Sequence, residues 1–308
     1  MNTFLKKTVY FILPIALLLL GIEFYFRTQD HPFKLKADFQ TENLNEIENL
    51  FLGTSHTQNG INPEFFKRKT SNLGFASQDI QLDLALFNAF APKMRKLKSV
   101  IIELDYHRFD EENGKDYYRL PWYYIYYGIE IHRVNFLNKL SLYSSNNQFF
   151  NGNLIASLKL GNQEKVVNKY GYVTKNYTDD FAPMKYDSIE IYKSAAIRLK
   201  NRHTNVSLSA RINNKKRINE MITYCNQNNI AIYVLSLPLY KTYRDLKIVE
   251  KDLYRKKFID SLVVHTKVRF LDYETSAKFD LKDYSNDDHL NPKGAEKLSR
   301  MLDLIINH

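Results

Sequence analysis

Ser55 closes the run Asn49-Leu50-Phe51-Leu52-Gly53-Thr54-Ser55, and His289 sits in Asn286-Asp287-Asp288-His289-Leu290-Asn291-Pro292, near the far end of the 308-residue chain. A strand that ends in Gly-x-Ser and turns into a helix lifts a hydroxyl clear of the sheet edge, beside unused backbone N–H groups. A hydroxyl is a poor nucleophile until a base takes its proton, and the base needs a partner that fixes its tautomer. His289 can be that base. Asn286 through its amide oxygen, Asp287 or Asp288 can orient it, and the sequence leaves this choice open. Such a pair carries acyl transfer, whose oxyanion needs donors. Backbone N–H groups at Thr54 and His56, beside the serine, and at Gly74, after a second strand end, are the candidates. The His56 side chain is given no catalytic part, because adjacent side chains diverge.

Other polar residues fit blander roles. Glu103, Asp105 and His107 alternate along a strand and could form a metal set, but they read better as a strand end with solvated charges. Arg202-His203 reads as an exposed helix end rather than a contact for a substrate anion. No metal and no cofactor are expected.

The elements that must hold these residues alternate. Ile47 to Leu52, Ser71 to Phe75, Ser99 to Asp105, Asn229 to Leu237 and Val268 to Tyr273 are short apolar runs expected as buried strands. Helical spacing runs from Ser77 to Leu97, Leu208 to Asn228, Glu250 to Val264 and Lys293 to Ile306. This predicts an α/β three-layer sandwich with a mainly parallel sheet, whose function gathers beyond the carboxyl ends of the strands. The stretch 109–201 breaks the rhythm and is rich in aromatics, such as Leu120 to Tyr127. It is expected to be an insertion folding over the sheet edge as a lid, its aromatic residues either packing it or stacking on sugar rings.

Ahead of the sandwich, residues 9–26 form an uncharged run up to Glu23, long enough at about 1.5 Å per residue to nearly cross a hydrocarbon core of roughly 30 Å. No small-x-small cleavage site follows it, so it is expected to be an uncleaved anchor. That makes 1–8 a cytoplasmic tail, 27–45 a polar linker, and 46–308 a domain outside the cytoplasm, at the periplasmic or extracellular face. The 44% hydrophobic and 14% aromatic content suffices for a core and excludes disorder. A single cysteine, Cys225, excludes an internal disulfide framework. The net charge of +10 is scattered and accompanied by no nucleic-acid motif, so a membrane surface or anionic envelope polymers are the expected partners rather than nucleic acid.

With these residues in place, the chain resembles the SGNH (GDSL-like) hydrolase superfamily. Gly53-Thr54-Ser55 stands where that family has its Gly-Asp-Ser block, and Gly74 stands at its second-block glycine. Asp287 to Ala295, DDHLNPKGA, resembles its last block as found in accessory proteins of envelope-polysaccharide O-acyl transfer and D-alanyl transfer. The likeness spans roughly 46–108 and 205–308. Two departures stand out: the family's Asp-x-x-His has Asn286 in place of its aspartate, and Asp105-Tyr106-His107 replaces the third block, Gly-x-Asn-Asp. These three residues are expected to face the substrate. The resemblance implies an esterase or O-acyltransferase acting on acyl esters, acetyl foremost, of a cell-envelope polysaccharide or other glycan, working beside an integral-membrane acyltransferase. The alternative it implies is a catalytically weak accessory or glycan-binding protein.

Overall fold

The computed structural model describes residues 2–160, 166–175, 180–201 and 203–307. They divide into two compact units, one made of 1–31 with 114–164, the other of 32–113 with 165–308.

The larger unit is built on a five-stranded sheet: β1 (Asn49–Leu52), β2 (Thr70–Asn72), β3 (Ser99–Glu103), β4 (Ala231–Ser236) and β5 (Arg269–Asp272). All pairs are parallel, in the order β2-β1-β3-β4-β5. That is the doubly wound order whose strand sequence reverses between β1 and β3, opening a crevice at their carboxyl ends. Ser55 follows β1, and Glu103 to His107 end or follow β3, so both lie at that crevice.

Register sets which side chains share a face. Phe51 pairs with Ile101, Ile101 with Tyr233, and Leu235 with Leu271, all facing one core layer. The helix Pro292–Ile306 covers that layer with Leu298, Leu302 and Ile306, each buried. Each such side chain contributes about 1.5–3 kcal/mol by leaving water. Elsewhere in the unit, Leu208–Gln227 packs against Ile80–Phe90.

The stretch 27–45 differs from the linker read in the sequence: Pro32–Glu42 is a helix with Phe33, Ala37 and Phe39 buried. Its polar residues misled because they serve the edge strand. Lys36 Nζ donates to the Asn72 carbonyl at 2.7 Å, and Ser71 Oγ donates to Gln40 Oε1 at 2.7 Å. Burial pushes the Lys36 ammonium down to about 7.

The smaller unit joins the N-terminal helix, Asn2–Thr28, to part of the aromatic insertion. Thr3–Thr28, 26 residues, is long and apolar enough to cross a membrane. At the end of this helix Glu23 accepts the Leu142 N–H at 2.7 Å, the Tyr143 N–H at 3.2 Å and Arg27 Nε at 2.7 Å. Phe26, Trp122 and Phe150 are buried around it. The expected single insertion 109–201 is therefore divided: of its described residues, 114–160 fold with the apolar helix, and 109–113, 166–175 and 180–201 belong to the sheet unit. Trp122 and Tyr123 pack this core instead of forming a surface for sugar rings.

Candidate active site

Gly53, Thr54 and Ser55 turn the chain from β1 into the short helix Ser55–Gly60, with Thr54 as its N-cap. What fixes this turn is Glu103, the last residue of β3. Its buried carboxylate accepts the Thr54 N–H at 2.7 Å, the Thr54 hydroxyl at 2.7 Å, the Thr57 N–H at 3.2 Å and the Thr57 hydroxyl at 2.7 Å. A Cβ at Gly53 would overlap both the Glu103 carboxylate and the Thr57 hydroxyl, so only glycine admits this approach. Burial pushes the Glu103 carboxyl up, but the charges of Arg108 and His56 and the threonine hydrogen bonds outweigh it and hold the group ionised. The strand-end reading with solvated charges is thus overturned. Glu103→Gln replaces an acceptor by an amide whose N–H2 faces donors, at a cost of about 3 kcal/mol. Thermal unfolding should record a fall on the order of 6 to 12 °C.

The other half of the site is a tight loop. Tyr284 and Leu290 form an antiparallel bridge, the Ser285 N–H donates to the His289 carbonyl at 2.9 Å, and Asn291 caps the helix that follows. This helix lies along Ser55–Gly60, and the Asn62 N–H donates to Ser299 Oγ at 2.9 Å. The packing brings the remote segments together: Ser55 Oγ lies 2.8 Å from His289 Nε2. On the far side of the ring, Nδ1 lies 2.7 Å from Asp288 Oδ1 and 3.1 Å from Asn286 Oδ1. With Nδ1–H donating to the carboxylate, Nε2 keeps its lone pair toward the serine.

The three orienting candidates are separated by their other bonds. Asn286 Oδ1 already accepts the N–H groups of Asp288 at 3.2 Å and His289 at 2.9 Å, shaping the turn. Asp287 is contacted by Arg198 at 2.9 Å, and burial together with the Asp288 charge pushes its carboxyl up to about 6. Asp288 alone places a carboxylate against the imidazole. Burial would raise it, yet His289 and His56 hold it well below the usual carboxylate range.

His56 lies beneath the pair, where the sequence assigned its side chain no part. Its Nδ1 is 2.5 Å from Asp105 Oδ2 and its Nε2 is 3.7 Å from Asp288 Oδ2, with the ring buried. Burial disfavours the imidazolium, but the hydrogen bonds and charges of Asp105, Asp288 and Glu103 prevail and lift it well above the ordinary value. A raised folded-state pKa gives stability that is complete below the unfolded value of roughly 6.5 and disappears as pH climbs through the folded value. The Tm gap between the wild type and His56→Gln should accordingly be widest near pH 6 and narrow toward pH 9; a gap that widens with pH would refute a charged His56.

Several expected site residues hold other positions. The Thr54 N–H goes to Glu103, the His56 N–H to Thr54 Oγ1 at 3.2 Å, and the Gly74 N–H to Asn72 Oδ1 at 3.0 Å, so all three oxyanion candidates are already used. Gly74 instead makes room for the Thr57 side chain. Asp105 and Tyr106 are buried rather than facing a substrate. Asp105 accepts the Leu237 N–H at 3.0 Å, and the Tyr106 hydroxyl accepts the Ile248 N–H at 2.8 Å. His107 does line a cavity with Ser55, and so does His203, which the sequence read as exposed; Arg202 lies outside the described residues. Burial pushes both imidazoles down, His203 to about 3, keeping them neutral.

Two cavities meet at Ser55 and His289. One, of about 550 Å³, is lined by His107, Glu111, His203 and Asn205 among others. The second, of about 660 Å³, includes Gln58, Tyr172, Lys175 and Arg198. Gln58 Oε1 accepts the Ala76 N–H at 2.8 Å, which fixes its amide at the cavity wall. Sequence reasoning missed Gln58; its only signal was a place three residues after Ser55, one helical turn along.

No family model and no curated protein matches this chain. Among solved structures it is similar to a GDSL-like lipase from Bacteroides thetaiotaomicron, at 12% identity and TM-score 0.42, over 89% of this chain and 98% of that one. It is also similar to a carbohydrate esterase family 2 enzyme with a carbohydrate-binding domain from Myceliophthora fergusii, at 9% identity and TM-score 0.39, over 85% of this chain and 65% of that one.

Proposed function

We propose that this chain is a membrane-anchored, SGNH-like serine esterase or O-acyltransferase acting on acyl esters, acetyl foremost, of a cell-envelope glycan. The observation that carries the reading is the aligned series Ser55 Oγ, His289 Nε2 at 2.8 Å, and Asp288 Oδ1 at 2.7 Å from Nδ1. Ser55 attacks the acyl carbonyl while Nε2 takes its proton, and the Asp288 carboxylate stabilises the imidazolium that forms. The tetrahedral oxyanion collapses, the alkoxide leaves with the proton from Nε2, and the acyl group stays on Ser55 as an ester. A water or a sugar hydroxyl then gives its proton to Nε2 and takes the acyl group, regenerating the serine.

The Ser55 N–H starts a helix and has no acceptor among the described residues, which makes it the first oxyanion donor. The Gln58 amide supplies the second, in place of the N–H groups of Thr54, His56 and Gly74. The apolar N-terminal helix favours transfer over hydrolysis, since an anchor keeps the domain beside a membrane-bound acyl donor.

Incubating the full-length protein in detergent with p-nitrophenyl acetate and a neutral oligosaccharide distinguishes the two outcomes. Transfer gives oligosaccharide heavier by one acetyl group at the expense of free acetate; acetate alone identifies an esterase. Absence of any p-nitrophenol release above the uncatalysed rate would leave only the non-catalytic glycan-binding alternative.

A further inference from the structure

Among the described residues, three groups of side chains at or beneath the cavity beside Ser55 could ligate a metal. Two are built on His56, with Asp288 and His289 or with Glu103 and Asp105, and their donor atoms are engaged with one another, with Ser55 or with Thr54 and Thr57. The third, His107, Glu111 and His203, is arranged differently. Glu111 Oε2 lies 3.9 Å from His107 Nε2, and Glu111 Oε1 lies 3.8 Å from His203 Nε2. These separations are too long for hydrogen bonds. The three ligand atoms, one from each residue, lie within 4.8 Å of one another. Donors about 2.1 Å from one tetrahedral zinc ion stand about 3.4 Å apart, so the side chains would close in by up to about 1.4 Å to hold it.

The surroundings hold these ligands toward the cavity. The two imidazoles stack with centroids 4.2 Å apart and planes 14° from parallel, so one ring must swing out of the stack for both in-plane lone pairs to meet at one ion. His203 Nδ1 is 2.6 Å from the hydroxyl of the buried Tyr243, which orients the ring and leaves Nε2 for the cavity. Its backbone takes φ 63°, an uncommon conformation for a non-glycine residue, and Lys251 Nζ fixes it by donating to the His203 carbonyl at 2.6 Å and the Asn205 carbonyl at 2.9 Å. His107 is buried, and its Nδ1 has no hydrogen-bond partner among the described residues. A buried ring nitrogen left without a partner is costly.

We propose that His107, Glu111 and His203 form a binding site for one divalent transition-metal ion of the zinc class, in the same cavity as Ser55 and His289. Two imidazoles and a carboxylate are a borderline-soft donor set that suits zinc, and three protein ligands leave a position open toward the cavity. A substrate oxygen, from a sugar hydroxyl or an acyl group, can occupy that position. The site does not depend on the acyl chemistry of Ser55.

The test uses the full-length protein in detergent, purified without a polyhistidine tag and stripped with a chelator, then titrated with Co(II) and afterwards with Zn(II). One equivalent of Co(II) should bind, giving the visible absorption of a low-coordinate site that Zn(II) abolishes. Glu111→Gln, at a partly exposed position where folding is preserved, and His203→Asn should each weaken binding at least about tenfold, while Ser55→Ala should leave it unchanged. Absence of stoichiometric Co(II) binding, or binding unaltered in both ligand variants, overturns the site. Metal binding retained in Ser55→Ala together with lost ester turnover would separate this proposal from the acyl mechanism.

Discussion

Ser55→Ala should lower kcat/KM for p-nitrophenyl acetate by on the order of 10⁴ to 10⁶, with KM little changed. In the proposed mechanism the serine hydroxyl, 2.8 Å from His289 Nε2, carries the acyl group, and alanine leaves water as the only attacking group. The fold should tolerate the change. Ser55 is only partly buried, and the helix it begins is held by the Thr54 cap and the Glu103 carboxylate rather than by its own hydroxyl. An unchanged Tm with lost turnover is the expected pattern; residual turnover within about tenfold of the wild type would place the nucleophile elsewhere.

The second large effect belongs to Asp288→Asn, which should cost on the order of 10³ to 10⁴ in kcat. The substitution keeps the shape but removes the charge that holds Nδ1 protonated and stabilises the imidazolium. It also leaves the buried His56, 3.7 Å away, and Arg198 Nη1, 3.4 Å away, facing a neutral amide. Asn286→Ala should lower kcat by less than about tenfold, because its oxygen mainly shapes the turn and lies farther from Nδ1, at 3.1 Å. Measuring kcat for both variants decides between the two partners: a larger loss in Asn286→Ala would reverse the assignment.

How far the chain could be read without coordinates varied with the physics involved. The parallel sheet followed from period and length, since five apolar runs alternating with helices leave few architectures. Ser55 and His289 stood out because each lies where an element ends and a polar turn begins, the place a doubly wound sheet exposes. The choice among Asn286, Asp287 and Asp288 was not legible, because three consecutive polar residues in a loop have no periodicity from which a direction can be taken. The geometry favours Asp288 through the Tyr284–Leu290 bridge and through Arg198, which is remote in sequence and engages Asp287.

Buried charge was the hardest feature to read. Glu103 ends an otherwise apolar run, and a carboxylate at a strand end is ordinarily wet; here donors from Thr54 and Thr57 replace the water. His56 was passed over because adjacent side chains diverge. They do diverge, by about 100° at the start of a helix, and that turns His56 inward onto Asp105 while Ser55 faces the cavities. The helix Pro32–Glu42 was hidden by the same effect, its lysine and glutamine satisfying an edge strand instead of solvent.

The most direct measurement of the central claim is the intact mass of the full-length protein after exposure to a serine-directed phosphonate, followed by peptide mapping. One adduct per chain on the peptide containing Ser55, formed at a rate that falls by orders of magnitude in a His289→Gln variant, is the predicted result. An adduct on another residue, or labelling of Ser55 at the same rate with His289 removed, would contradict it.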